Sequence, residues 1–166
     1  MNRITIGSML LLLAPTILAA PAYPETHWYD LDNCAYCRNL TRDQQLLDHV
    51  TWESHLISDG ALTVTVVAPA FEDSYHQAQA AMAELARKVK SGEIDPTSMK
   101  VCGRCEAYGR LVTSGVTTET VVGEQAEITL VTADSPELVA RIHEFVKRNI
   151  AEMEHMKHGH GHQHHP

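Results

Sequence analysis

The chain has 166 residues, of which 44% are hydrophobic, 20% charged and 5% aromatic. This composition is typical of a globular protein and excludes a disordered or fibrous one, and the length fits one ordinary domain or two small ones. The formal charge of -8 argues against a general affinity for nucleic acid, which needs a basic surface. Two counts are unusual, 11 histidines and four cysteines, and they point to metal or thiol chemistry.

Residues 1–22 have the pattern of a secretory signal peptide. An apolar run extends from Ile4 to Ala20, and the small residues of Ala20-Pro21-Ala22 suit cleavage before Tyr23. The alternative is an uncleaved membrane anchor, but Pro15 interrupts the run and the run is short for a span. No later segment reaches the ~18 apolar residues of a span. We therefore expect an exported protein, periplasmic or extracellular, without a membrane span in its mature form.

The next segment, residues 23–92, predicts the order strand, helix, hairpin and helix. The first strand leads into a C-x-x-C motif, and alternating apolar residues then indicate two strands on either side of Asp59-Gly60, a hairpin turn signal. Basic residues in the last turn of the final helix suit the helix dipole, and Gly92 follows as a stop. The predicted elements are a strand at Trp28–Leu31, a helical stretch to about Leu47, strands at Val50–Leu56 and Leu62–Val66, and a helix at about Glu72–Lys90.

The same order recurs in residues 93–153, which predicts an internal repeat. The two C-x-x-C motifs are offset by 68 residues. Coincidence is the alternative, since strands and helices often alternate, but the matched position of the cysteine pairs favours duplication. The predicted elements are a strand at Met99–Val101, a short helix to Val112, strands at Val116–Val122 and Glu127–Thr132, and a helix that starts at Ser135-Pro136-Glu137 with Ser135 as its cap.

Two units of this kind predict an α+β fold. The simplest arrangement is a pair of ferredoxin-like strand-helix-hairpin-helix units that form a pseudo-duplicated antiparallel sheet, with the helices on one face. Residues 92–98, which include Pro96, would connect the two units.

The paired cysteines carry the predicted chemistry, and three interpretations are open. Each C-x-x-C lies where a strand turns into a helix, and the free N–H groups of a helix N-terminus stabilise a thiolate. The four sulfurs suit a tetrahedral zinc site if the two motifs meet, with Arg38 and Arg104 offsetting the charge. The alternatives are structural disulfides and a catalytic dithiol, for which Cys102 is the better thiolate because Arg104 lies nearby. The candidate metal ligands are Cys34, Cys37, Cys102 and Cys105.

The order of strand, C-x-x-C, helix, hairpin and helix resembles the heavy-metal-associated domain. That domain is ferredoxin-like and binds copper(I) or zinc through its two cysteines. The resemblance implies that Cys34 with Cys37, and Cys102 with Cys105, are the metal ligands of two copies.

The C-terminal segment, residues 154–166, predicts a flexible chelating tail. Imidazole suits Zn²⁺, Ni²⁺ and Cu²⁺, the thioethers of Met153 and Met156 suit Cu(I), and the interspersed glycines leave the geometry open. A solvated low-complexity tail and the remnant of a purification tag are the alternatives. The remaining histidines (His27, His49, His55, His76 and His143) are scattered and are expected at the surface or satisfied by hydrogen bonds. The tail residues proposed as ligands are His155, His158, His160, His162, His164 and His165.

These features together predict an exported protein that captures, buffers or delivers a transition metal ion. Zinc is the first choice, with copper or nickel as alternatives, and a metal transporter or another envelope protein is the expected partner. The sequence has no phosphate-binding loop, nucleophile elbow or H-E-x-x-H helix, so we expect no enzyme. The alternatives are an envelope thiol-disulfide oxidoreductase and a disulfide-stapled interaction module.

Overall fold

The computed structural model describes residues 27–159. The predicted signal peptide, residues 1–22, and the tail residues beyond Gly159 lie outside this range. None of the helices in residues 27–159 is long and apolar enough to cross a membrane. The strands are β1 (Val50–Ile57), β2 (Gly60–Val67), β3 (Thr117–Val122) and β4 (Glu127–Thr132), and the helices are α1 (Glu72–Lys90), α2 (Gly103–Thr113) and α3 (Pro136–Gly159).

The four strands form one antiparallel sheet in the order β1-β2-β4-β3. Each half of the chain contributes one hairpin, and the second strands of the two hairpins pair at the centre, where Val64 lies opposite Ile128. The hairpins close in the same way, because Ile57 pairs with Gly60 and the Gly123 N–H donates to the Ala126 carbonyl. The mixed α and β content and the antiparallel sheet agree with the predicted α+β class.

The turn of the first hairpin lies one residue earlier than its sequence signal indicates. Ser58 and Asp59 form the loop, and Gly60 is the first residue of β2, with no positive φ. Glycine is needed there for another reason, since a Cβ atom at this position would lie 2.0 Å from the Val131 carbonyl oxygen of β4. The His143 Nε2 atom lies 2.9 Å from the carbonyl oxygens of Ile57 and Gly60, so α3 also binds this turn.

Helices α1 and α3 cover the same face of the sheet, as predicted. Successive side chains of a strand point to opposite faces, so the cross-strand pairs Trp52–Thr65 and Leu56–Ala61 share one face. On that face, β1 and α1 form one buried cluster and β2, α2 and α3 form a second. The first cluster contains Leu46, Val50, Tyr75 and Ala78, and the second contains Ala61, Leu111, Ile142 and Val146.

The leading strand predicted for each half is wrong. Residues 28–31 and 99–101 form no strand, because these two regions of the chain hydrogen-bond to each other rather than to the sheet. The Ala35 N–H donates to the Lys100 carbonyl, and the N–H groups of Gly103 and Arg104 donate to the carbonyls of His27 and Trp28. The helical stretch predicted up to Leu47 is also wrong, since only two 3-10 turns occur there, at Cys37–Asn39 and Leu46–His49.

The predicted ends of the long helices are confirmed. The backbone N–H of Leu138 donates to Ser135 Oγ at 3.2 Å, which is the expected cap of α3. Gly92, just after α1, has a φ of 78°, a conformation that favours glycine. Helix α3 continues to Gly159, so the first residues of the predicted tail segment are helical.

Candidate metal centre

The four cysteines of the two C-x-x-C motifs meet in one group. The Sγ atoms of Cys34, Cys37, Cys102 and Cys105 all lie within 4.8 Å of one another. Cys37 Sγ lies 3.6 Å from Cys102 Sγ and 3.4 Å from Cys105 Sγ. The halves of the chain therefore share one site, whereas the resemblance to the heavy-metal-associated domain implies one cysteine pair for each copy.

The first cysteine pair lies on a tight backbone turn. The Cys34 N–H donates to the Asp30 carbonyl, and the Cys37 N–H donates to the Cys34 sulfur. Asn39, which is 4% exposed, donates through its side-chain amide to the carbonyls of Ala35 and Tyr36. This turn leads into a 3-10 turn, not the longer helix expected from the sequence, so backbone N–H groups rather than a helix dipole stabilise the sulfurs here.

The second cysteine pair does begin a helix, as predicted. Cys102 is the N-cap residue of α2, and Cys105 lies in the first turn. The Cys105 N–H donates to the Cys102 sulfur, which repeats the contact within the first pair. Each pair thus has its first sulfur hydrogen-bonded by the backbone of its second cysteine.

Contacts around the cysteines connect the two motifs. In addition to the backbone bond from Ala35 to Lys100, the Lys100 ammonium lies 2.9 Å from an Asp30 carboxylate oxygen. Asp30 also accepts hydrogen bonds from the backbone and side chain of Asn33. The hydrogen bond with Lys100, followed by those with Asn33, lowers the pKa of Asp30 to about 2. These bonds fix the first motif against the segment that precedes the second.

The sulfur group is largely shielded from solvent. Cys34, Cys102 and Cys37 are 0%, 2% and 4% exposed, and Cys105 is half-buried. All four cysteines are free, and the sulfur contacts of 3.4 and 3.6 Å are well beyond the ~2.05 Å of a disulfide bond. The structure therefore presents four thiol groups at one place rather than two covalent bridges.

The four thiols of the group differ in how easily they lose their protons. Hydrogen bonds from neighbouring thiols lower the pKa of Cys34 and Cys102, that of Cys102 to about 6. The same hydrogen bonds raise the pKa of Cys37 and Cys105, which hold the protons. The protein surroundings alone do not favour four thiolates so close together, so a cation that bound all four sulfurs would have to displace the remaining protons.

Arg104 is the positive side chain beside this group. Its Nε atom donates to Asn149 Oδ1 at 3.0 Å, and the Tyr29 hydroxyl donates to the same oxygen at 2.5 Å. Burial alone would lower the pKa of Arg104, but Tyr29 and three of the cysteines outweigh burial and raise it. Arg104 is thus placed to offset thiolate charge as expected, whereas Arg38 is exposed. Asn149 and Tyr29 were not predicted, because Asn149 lies 45 residues from Arg104 in the chain.

The predicted histidine ligands do not join the cysteines. Among residues 27–156, whose side chains are described, the one group of metal-ligating residues is the four cysteines. His155 is exposed on α3, and His158 lies in the last turn of that helix. The scattered histidines include His143, which binds the hairpin turn, and His55, which pairs with Glu53 at the surface. His160, His162, His164 and His165 lie outside the described residues.

A cavity of about 870 Å³ lies between the sheet and helices α1 and α3. Cys37, Cys105 and Arg104 line it together with residues of all these elements, so the sulfur group borders this cavity. No pattern in the sequence indicated this cavity, because it is formed by residues from both halves whose separation depends on how the helices pack.

Comparison of the chain with known protein families, with curated proteins and with solved structures finds no match. The geometry of the site is therefore the basis for a function.

Proposed function

We propose that this protein binds a transition metal ion, with zinc as the first choice, through Cys34, Cys37, Cys102 and Cys105. The single observation that carries the proposal is that four free sulfurs, from motifs far apart in sequence, lie within 4.8 Å of one another. Zinc with four thiolates is tetrahedral with Zn–S distances of about 2.3 Å, which corresponds to sulfur-sulfur distances of roughly 3.8 Å. The contacts of Cys37 Sγ with Cys105 Sγ and Cys102 Sγ, 3.4 and 3.6 Å, are near this value.

The donor set limits the choice of metal. Thiolates favour zinc and copper(I), whereas carboxylate and carbonyl oxygens favour magnesium and calcium. Four protein ligands leave no open position for a substrate, so such a site holds an ion rather than performing hydrolysis. The donors and the burial of the site support binding of a soft or borderline ion, with copper and nickel as the alternatives to zinc, and do not require an enzyme.

The C-terminal histidines have a second role in this proposal. They would capture ions with modest selectivity and raise the local concentration, while the cysteines form the specific site. Helix α3 supports the proposal because it carries both Asn149, which binds Arg104 beside the cysteines, and His155. Capture, buffering and delivery of the ion to a transporter or another envelope protein all fit these two roles of the histidines and the cysteines.

Export is part of the same proposal. In an oxidising compartment four neighbouring thiols would be prone to oxidation, and a bound metal ion protects them. A thiol-disulfide oxidoreductase is less well supported. The thiol with the pKa of about 6, Cys102, is 2% exposed and thus shielded from an external disulfide.

Elemental analysis of native protein, purified without a metal column, tests the proposal. We expect one zinc ion, or another transition metal ion, per chain, and its retention after deletion of residues 160–166. Cys37→Ser should abolish it, because Cys37 contacts the sulfurs of both cysteines of the second motif. Met99→Leu, near the second motif but without a sulfur in the group, is the control.

Measurement of the intact mass of the protein without reductant is a second, independent test of the proposed function. Four free thiols agree with the proposal, whereas fully oxidised cysteine pairs in the native protein would contradict it. Metal that disappears with residues 160–166 and is unaffected by Cys37→Ser would also contradict the cysteine site and leave the tail as the binding element.

A further inference from the structure

The sheet has one face under the helices and one open face, and its centre is more apolar on the open face. In an antiparallel sheet with one covered face, apolar side chains usually lie under the helices and polar ones face water. Here the central cross-strand pairs on the helix side are hydroxyl residues, Ser54 with Thr63 and Thr120 with Thr129. The side chains that alternate with them, on the open face, are aliphatic. They are Leu62, Val64, Ile128 and Leu130.

The aliphatic side chains of the open face are accessible to solvent. Val66, Val121 and Ile128 are 46%, 50% and 38% exposed. The three helices of residues 27–159 pack on the other face, where they form the two buried clusters that cover the sheet. Adjoining exposed apolar residues of this kind mark an interaction surface rather than an ordinary solvated face.

Two rows of side chains cross the open face from β1 to β3. In one row the strand register places Leu62 beside Leu130 at the centre, with His55 at the β1 edge and Glu119 at the β3 edge. The His55 Nε2 atom lies 3.0 Å from the carboxylate of Glu53, which positions the imidazole at its edge. The neighbouring row consists, in the same strand order, of Glu53, Val64, Ile128 and Val121.

The row with His55 and Glu119 is complementary to itself under a twofold rotation. An axis that lies between β2 and β4, parallel to the strands, brings two open faces together with β1 of each copy over β3 of the other. Each row then lies over the same row of the second copy, so Leu62 meets Leu130. At both ends of the row an imidazole meets a carboxylate. A twofold interface needs this property, because each of its contacts occurs twice.

The size of the open face corresponds to a small interface. Four strands spaced by about 4.8 Å, with six residues of about 3.3 Å each, have a flat area of about 400 Å². A standard interface buries about 800 Å² per partner, so this face belongs to the class of small, reversible interfaces. Two sheets that stack in this way keep their strands within about 30° of each other, which leaves the rows superposed near the axis.

We propose that the open face binds a second copy of this chain, so that two sheets stack face to face across a twofold axis. The aliphatic centre provides the attraction, and the two contacts between His55 and Glu119 fix the orientation. This inference goes beyond metal binding and does not depend on it, because the cysteines border the cavity on the opposite side of the sheet.

Sedimentation equilibrium of the native protein over a range of concentrations tests the proposal. We expect a reversible equilibrium between monomer and dimer with a micromolar dissociation constant. Leu62→Lys places a charge at the centre of the face and should weaken dimerisation by at least about tenfold. Val122→Lys is the matched control, because Val122 is 68% exposed on the helix side of β3 and should leave dimerisation unchanged.

An exchange of charges between the two edges tests the orientation of the copies. Glu119→Lys alone removes the carboxylate that meets His55, and His55→Glu alone makes two carboxylates meet, so each variant should weaken dimerisation. The double variant restores a pair of opposite charges at both ends and should dimerise about as tightly as the native protein. Both positions lie on edge strands at the rim of the face, so these variants retain the fold even if Leu62→Lys does not.

Three results would overturn the inference. The first is a native protein that remains monomeric at about 1 mM. The second is an equal effect of Leu62→Lys and Val122→Lys on dimerisation. The third is a double variant that dimerises no more tightly than the two single variants. Midpoints of chemical denaturation close to that of the native protein verify that the variants are folded.

Discussion

Asn149 connects three groups beside the cysteines. Its side-chain oxygen accepts hydrogen bonds from Tyr29 and Arg104, and its amide nitrogen faces the Met153 sulfur. Since Arg104 is the positive side chain that offsets thiolate charge, the position of its guanidinium depends on Asn149. One residue of α3 thus holds the positive side chain beside a group of candidate ligands that all lie elsewhere in the chain.

Replacement of Asn149 by leucine should weaken metal binding without removing a ligand. Residues that orient the surroundings of a metal site typically contribute about 10–100-fold in affinity, and we expect a loss of that size. Competition with a chromophoric chelator measures it. Lys147→Leu is the control, because Lys147 is exposed on the same helix, two residues from Asn149. Equal affinities of the Asn149 variant and the wild type would contradict this role.

At this scale the sequence indicated the four cysteines as candidate ligands but did not indicate their surroundings. C-x-x-C spacing alone indicates sulfurs that act together, and a neighbouring arginine is visible in the motif itself. Asn149 is an ordinary polar residue on the predicted final helix, and only the packing of α3 against α2 brings it to Arg104. Tyr29 was expected in a strand, so its contact with Asn149 had no counterpart in the sequence.

At the scale of secondary structure elements, the hairpins and long helices follow local patterns. Alternating apolar residues mark β1 to β4, and Ser135 and Gly92 mark helix ends. The two leading strands were wrong because short apolar runs such as Trp28–Leu31 are compatible with any extended segment. Which partner such a segment pairs with is a tertiary property, and here the partner is the region just before α2 rather than a sheet edge.

Alanine substitutions at two glycines should have opposite effects on the stability of the fold, because Gly60 has a close backbone contact and Gly109 has none. Gly60→Ala places a Cβ atom 2.0 Å from a backbone oxygen of β4 and should destabilise the fold by about 1–3 kcal/mol or more. Gly109 lies inside α2 with no heavy atom near an added Cβ, so Gly109→Ala should stabilise the fold by about 0.5–1 kcal/mol. Chemical denaturation measures both. Similar midpoints for the two variants would refute the predicted contact.

Helix α1 should lose stability in acid through Glu84. A hydrogen bond and the charge of Arg87 lower the pKa of Glu84 to about 2. A lowered pKa means that this pair contributes stability above pH 4.5 and loses it as the pH falls through about 2. The difference in melting temperature between wild type and Glu84→Gln should shrink over this range. A difference in melting temperature that persists at pH 2 would contradict a stabilising role of the Glu84–Arg87 pair. Additive effects of Glu84→Gln and Arg87→Gln would contradict it as well.

At the scale of the whole molecule, two features hold the halves of the chain together. One is the pairing of β2 with β4 at the centre of the sheet, and the other is the sulfur group with its surrounding backbone bonds. The sequence left open whether the two C-x-x-C motifs meet in one site. It did not predict the cavity, since residues of both halves line this space.

Removal of the metal should therefore destabilise the whole molecule rather than one loop. An ion that binds the native state alone stabilises it by about 4 kcal/mol when its free concentration is about 1,000 times the dissociation constant. We expect a chelator to lower the melting temperature and zinc, but not magnesium, to restore it. Differential scanning calorimetry with and without chelator measures the effect, with Cys37→Ser as a control that should not respond. An unchanged melting temperature of the wild type would show that the ion does not hold the halves together.

The separation of the two cysteine pairs along the sequence also determines when, during synthesis, all four thiols become available. Cys37 and Cys105 are 68 residues apart, so a ribosome that adds roughly 5–20 residues per second makes the second about 3–14 s after the first. During that interval the nascent chain offers two thiol donors, which bind an ion far less tightly than four. Under the proposed function, tight loading thus waits until the second motif has been synthesised, and a truncated product that ends before Cys102 lacks two of the four candidate ligands.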